Sequence, residues 1–115
     1  MTAGKLALTC EKGATFYRLI TWRGPDGEPI DLTGCTAQFL VTKQRGSGRQ
    51  TVVSLTTGDG ITVGGIDGTL TILMPATQTI TLLAGGYYEL TVGFVGGRVE
   101  RLIEGEFTLS PVITS

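Results

Sequence analysis

Apolar and polar residues alternate with a period of two through most of this chain, which predicts a β protein. Cys35, Ala37, Phe39 and Val41 share one parity, and so do Tyr88, Leu90, Val92 and Phe94. Strands are expected at about 6–10, 15–23, 35–43, 51–56, 61–63, 69–74, 87–95 and 98–109. Seven or eight short strands with frequent turn signals fit an antiparallel sandwich or a small barrel. The clearest turn is Gly24-Pro25-Asp26-Gly27-Glu28-Pro29. There Pro presets φ, Asp bonds its own backbone and Gly accepts positive φ. Gly96-Gly97 predicts a two-residue hairpin connection between the last two strands. Adjacent Leu102 and Ile103 followed by Gly105 break the parity, so a bulge or sharp bend is expected near 101–105. The segment 75–83 opens with Pro and is followed by Ala84-Gly85-Gly86, which suits one short helical crossover.

Composition narrows the function classes. The 115 residues make one domain, 1–115, with 41% hydrophobic residues and only 17% charged ones against about 25% in ordinary domains. Nine basic and ten acidic residues are interspersed, giving a net charge of −1 and no field to draw in nucleic acid or an anionic membrane. The amino terminus lacks the basic start and apolar block of a signal peptide, so synthesis in the cytoplasm is expected. Cys10 and Cys35 share parity with apolar neighbours, Leu6 and Leu8 for the first, and read as buried thiols, although a bridge remains open.

Catalytic chemistry finds little support. The chain has no histidine, which closes the Ser-His-Asp and Cys-His routes to a nucleophile. Glu100, Glu104 and Glu106 read as salt-bridging surface carboxylates. Gly58-Asp59-Gly60 and Gly65-Ile66-Asp67-Gly68 read as turns, because a calcium loop needs oxygen ligands where Ile61, Val63 and Gly65 stand. No cofactor or metal is expected. Two surfaces are candidates for contact with a partner. One is the basic Gly-Ser-Gly tip containing Arg45, Gly46, Ser47, Gly48 and Arg49, either a solvated hairpin tip or an arm that orders on binding. The other surrounds Asp31 and Thr33, with the chain ends 1–4 and 111–115 as further contact segments. A third possibility is a sugar-stacking platform of Trp22, Tyr17, Tyr87 and Tyr88, which would make the chain a secreted carbohydrate-binding module.

The order of elements carries a resemblance. Phe16 and Arg18 precede Pro-Asp-Gly-Glu-Pro-Ile-Asp-Leu-Thr-Gly at 25–34 and Cys-Thr-Ala-Gln-Phe at 35–39. Then come Ile-Asp-Gly-Thr-Leu-Thr-Ile at 66–72, Leu-Ala-Gly-Gly-Tyr-Tyr-Glu-Leu at 83–90 and Glu-Gly-Glu-Phe-Thr-Leu-Ser-Pro at 104–111. This ordered set, over roughly 14–111, resembles small virion proteins of tailed bacteriophages and is similar to the N-terminal domain of phage upper baseplate proteins. The resemblance implies an immunoglobulin-like β-sandwich that serves as an assembly or attachment module in the tail, neck or baseplate. It implies many symmetric copies, other virion proteins as partners and no enzymatic activity. The related alternative is a capsid decoration protein clamping coat subunits.

Overall fold

Strand β4 (Thr36–Thr42) runs through the middle of the molecule because Ala37, Phe39 and Val41 all point one way and are buried. It pairs antiparallel with β8 (Gly86–Gly93) on one side and β5 (Thr51–Thr57) on the other. In both ladders Phe39 stands opposite a leucine, Leu90 and Leu55. Strand β9 (Val99–Ser110) follows β8 antiparallel, and the short strands β1 (Gly4–Lys5) and β2 (Leu8–Glu11) add to β9 in parallel. A second layer is built from β6 (Gly60–Val63), β7 (Thr69–Met74) and β3 (Phe16–Thr21), antiparallel throughout. The computed structural model describes residues 4–43, 51–82 and 85–110.

The chain passes from one layer to the other at a tight corner. Thr56 and Asp59 exchange backbone hydrogen bonds at 3.1 and 2.8 Å, and the Gly58 N–H donates to the Ile61 carbonyl. Gly58 and Gly60 both have positive φ, at 85° and 99°, which side chains resist. Because β5 and β6 pair in parallel across this corner, the layers form one curled, mixed sheet. Asp59 and Asp67 lie in turns, as their Gly neighbours predict, the second in a single 3-10 turn at Gly65–Asp67.

An aromatic cluster fills the space between the layers. Phe16 of β3 lies 6.4 Å from Phe39 and 5.7 Å from Phe107, and Phe39 lies 5.3 Å from Tyr88 and 6.0 Å from Phe107. All four rings are buried. Cys10 and Cys35 are buried free thiols, so no covalent bridge joins the layers.

The strand pattern departs from expectation in three places. The expected strand at 6–10 is broken into β1 and β2, with Leu6 between them 48% exposed instead of sharing the core with Leu8 and Cys10. The break exists because the Leu6 carbonyl turns to accept the Tyr88 hydroxyl, while the Leu6 N–H still donates to the Glu104 carbonyl at 3.0 Å. This raises the count to nine strands among the described residues. Second, β1 and β2 run parallel to β9, so the sandwich is not wholly antiparallel; all the chain between them serves as the crossover that parallel pairing requires. Third, the β8–β9 connection is longer than two residues: the Gly97 N–H donates to Phe94, and Phe94 and Arg98 are joined by a further bond of 2.7 Å. The bulge falls where parity failed. Leu90 pairs with Ile103 and Thr91 with Arg101, leaving Leu102 as the extra residue.

Helix α1 is one turn, Ala76–Thr79, with Pro75 extended before it. Buried Thr79 explains its place: its hydroxyl accepts from the Gly13 N–H at 3.1 Å and donates to the Ala14 carbonyl at 2.8 Å. The crossover therefore clasps the β2–β3 turn.

Two measurements check this packing. Phe39→Ala should cost about 3–5 kcal/mol and Leu90→Ala about 2–5 kcal/mol in denaturant unfolding, as large core truncations do. Less than about 1 kcal/mol for both would mean that these faces are not the core. Burial also pushes the Tyr88 phenol up to about 12. The unfolded phenol titrates near about 10, so its contribution is complete below about pH 10 and is lost as pH rises through about 12. Unfolding at alkaline pH should show this loss in the parent protein and a shallower slope in Tyr88→Phe.

Candidate functional site at the loop end

Three connections meet at one end of the sandwich. The first is the long β3–β4 loop, 22–35, whose opening turn is closed by the Gly27 N–H on the Gly24 carbonyl at 2.9 Å. Asp26 Oδ1 accepts from the Glu28 N–H, and Arg23 donates to the Gly27 carbonyl, so the Asp26 and Arg23 side chains both serve the turn itself. Trp22 is buried and packs on Phe94 at 5.7 Å. The Trp22 carbonyl then accepts from the Ile30 N–H at 2.9 Å.

The four residues that follow, Asp31-Leu32-Thr33-Gly34, have separate tasks. Asp31 Oδ1 accepts from the Thr33 N–H at 2.9 Å and from the Thr33 hydroxyl at 2.6 Å. These bonds, the hydroxyl's first, hold the Asp31 carboxyl below its usual range. Leu32 is fully buried and acts as a plug, while its N–H donates to the Gly65 carbonyl of the β6–β7 connection. Gly34 has φ 77°, and a Cβ there would come within 2.9 Å of Val95 Cγ2 on the β8–β9 turn. Asp31 shapes the loop; Gly34 lets the neighbouring turn approach.

Between this loop and the β8–β9 turn lies an open groove of about 360 Å³ lined by Asp31, Thr33, Cys35, Phe94, Val95 and Arg98. The Arg98 guanidinium sits 4.1 Å above the Phe94 ring and 3.8 Å from a Glu100 oxygen. Val95 is 77% exposed, and Ile66 on the adjoining turn is 72% exposed. Such an arrangement has apolar tips, one carboxylate and one stacked cation around a shallow trough.

Asp31 and Thr33 thus share one site. Residues 45–49 lie outside the described residues. The strand ends that flank them, Thr42 and Thr51, pair at the far end of β4 from Thr36, which pairs with Gly93 beside the groove. The aromatics expected to form a platform are dispersed: Trp22 and Tyr88 are buried, and Tyr17 is exposed on β3. Glu104 bonds Lys5 and Arg101, whose combined effect lowers its carboxyl from the usual range, and Arg101 also lies 3.4 Å from Glu89. Among the described residues no group of three or more potential metal ligands occurs. The sequence did not reveal the Phe94–Arg98 side of the groove; its signal was the glycine in each of two distant turns, Gly34 and Gly96-Gly97.

No family model and no curated protein matches this chain. A chicken TCR crystal structure is similar at a TM-score of 0.54 and 12% identity, over 96% of this chain and 56% of the TCR chain. The fold is immunoglobulin-like. This chain spans little more than half the length of that TCR chain. Antibody domains of this architecture carry a disulfide between their sheets; here both cysteines are unbridged, and the four-ring cluster lies between the layers.

The contact at Gly34 yields a paired test. Gly27→Ala and Gly34→Ala both force an alanine into positive φ, at about 1–2 kcal/mol, but a Cβ on Gly27 meets nothing within 4 Å. Gly34→Ala should therefore destabilise more than Gly27→Ala in denaturant melts and should shift the Val95 methyl resonances. Equal losses with unmoved methyls would mean that the two loops are not packed together.

Proposed function

We propose that this chain is a non-enzymatic structural module of a tailed-bacteriophage particle, an adaptor in the tail, neck or baseplate that acts in many symmetric copies beside other virion proteins. The observation that carries the reading is where the phage-like strings fall. Asp-Leu-Thr-Gly at 31–34 and Ile-Asp-Gly-Thr at 66–69 form adjoining turns, joined through the Leu32–Gly65 bond, beside a groove with exposed apolar tips. The resembling residues therefore build the contact end of the domain as well as its frame. Low charge supports the same reading, since covering a surface with few charges leaves few of them to be desolvated. Fold alone does not decide function, and immunoglobulin-like sandwiches serve many purposes. A secreted carbohydrate-binding role is disfavoured by the burial of Trp22 and Tyr88. No helix among the described residues is long and apolar enough to cross a membrane.

Purified particles of a phage that encodes the chain provide the test. Mass spectrometry should find it in the particles, and immunogold labelling should place it on the tail, neck or baseplate. Label over the capsid faces would favour the decoration role instead. Its absence from particles, in a phage that expresses it, would sink the structural reading.

A further inference from the structure

Strands β2 and β3 follow one another in the chain, yet they lie in opposite layers and no ladder joins them among the described residues. Each is an edge. Alternation shows which carbonyls these edges leave over. The Leu6 and Lys12 N–H groups donate to the Glu104 and Ser110 carbonyls of β9, so Leu8 and Cys10 face β9 as well and the Thr9 carbonyl turns away from it. On β3 the Trp22 N–H donates to the Gly68 carbonyl at 2.7 Å, so Arg18 and Ile20 bond to β7 and the Tyr17 carbonyl turns away.

One side chain takes both carbonyls. Arg18 shares the inward parity of Phe16 and Ile20, and its guanidinium lies 4.6 Å from the centre of the Phe16 ring. Its two terminal nitrogens donate separately, Nη1 to the Tyr17 carbonyl at 2.7 Å and Nη2 to the Thr9 carbonyl at 2.9 Å. An inward-pointing charge on an edge strand is one device that keeps such an edge from pairing with other chains. Here it also ties two edges together. The Thr9 carbonyl belongs to the peptide unit that ends at the Cys10 nitrogen, so this bond holds the backbone of a fully buried thiol. The charges agree with that placement: burial pushes the Cys10 thiol above its ordinary value, and the Arg18 cation pulls against it.

We propose that Arg18 is a latch across this side of the sandwich. While its fork holds both carbonyls β2 stays shut against β3, and its release lets β2 part from β3 in a local opening that leaves the ladders of β4 intact. The opening is local because β2 is four residues long and has one ladder, a parallel one, whereas β4 is paired along both sides. Thr79 clasps the β2–β3 turn independently of the latch, so the turn stays in place when the strands separate. Arg18 takes no part in the loop-end groove, and the proposal does not rest on the virion assignment.

Two buried thiols make the test internal, since Cys10 sits beneath the latch and Cys35 lines the loop-end groove. Maleimide labelling of the full chain under native conditions, read by peptide mass spectrometry, gives a rate at each thiol. Arg18→Met keeps a stem over Phe16 and deletes the donors. It should speed Cys10 labelling by about tenfold or more, as loss of a hydrogen bond from a charged donor does to an opening equilibrium, and leave Cys35 unchanged. Should that variant fail to fold, Arg18→Lys keeps the charge and replaces the fork with a single ammonium, and Cys10 alone should still label faster than in the parent. Cys10 labelling no faster in the folded variants overturns the latch. So does an equal rise at Cys35, which marks a loss of global stability, or a parent Cys10 that reacts as fast as in concentrated urea.

Discussion

Contact between the two layers rests on four rings. Phe16 comes from one layer and Phe39, Tyr88 and Phe107 from the other, so every ring pair made by Phe16 spans the sandwich. Aromatic pairs add about 0.5–1.5 kcal/mol each beyond the area they bury. The four pairs together are of the same order as the roughly 2–5 kcal/mol that a small domain loses with a native disulfide. The cluster can therefore do the work of a covalent staple, with the difference that it depends on shape. Its edge-on contacts, at 66° for both pairs with Phe107, fix how β9 sits against the rest. Trp22 and Phe94 extend the same packing to the loop end.

Position on β9 has further consequences. This strand must pair with β8 along one side and receive two separate amino-terminal strands along the other. The extra residue at Leu102 shifts its register to β8 in mid-strand. Gly105 lies just beyond, and a side chain there would come within 2.3 Å of the Leu6 carbonyl. That same carbonyl accepts the Tyr88 hydroxyl. Bulge, glycine and buried phenol are thus parts of one arrangement, in which the amino-terminal segment comes close to Gly105 of β9 and its displaced carbonyl still finds a donor. The phenol is buried at a small cost because it is satisfied there.

Most of the frame was legible because the core is built by strict alternation. Ala37, Phe39 and Val41, and again Tyr88, Leu90 and Val92, are buried in the parity that the sequence displays. The bulge was legible as well, since adjacent Leu102 and Ile103 cannot both keep that parity. Parallel addition of β1 and β2 was not, because strand direction depends on partners far away in the chain and leaves no local pattern. Leu6 was misread for a related reason: its backbone bond to Tyr88 outweighs a single step of alternation. At the loop end, Asp31 and Thr33 stood out as a motif, but the groove did not. It is formed where two turns 60 residues apart in sequence come together, and only Gly34 marks how closely they approach.

Charge is distributed unevenly over this surface, and that sets which parts can be covered at least cost. Lys5, Glu89, Arg101 and Glu104 interlock around β1, β8 and β9, where Glu104 faces Glu89 directly and needs Lys5 and Arg101 to offset the repulsion. These partly exposed pairs contribute little to stability, about 0–1 kcal/mol each. Stripping water from them would cost more than that unless a partner replaced every bond. The outward side of β3 and β7 presents Tyr17, Leu19, Thr71 and Leu73, with no ion to desolvate. The loop end presents Val95 and Ile66, with Asp31 already bonded within its own turn. A partner approaching the ionic face must therefore match a fixed set of charges. Covering the outer face of β3 and β7 would strip water from no such ion, whereas at the loop end Arg98, stacked on Phe94 and 3.8 Å from Glu100, is a charge whose hydration would have to be replaced.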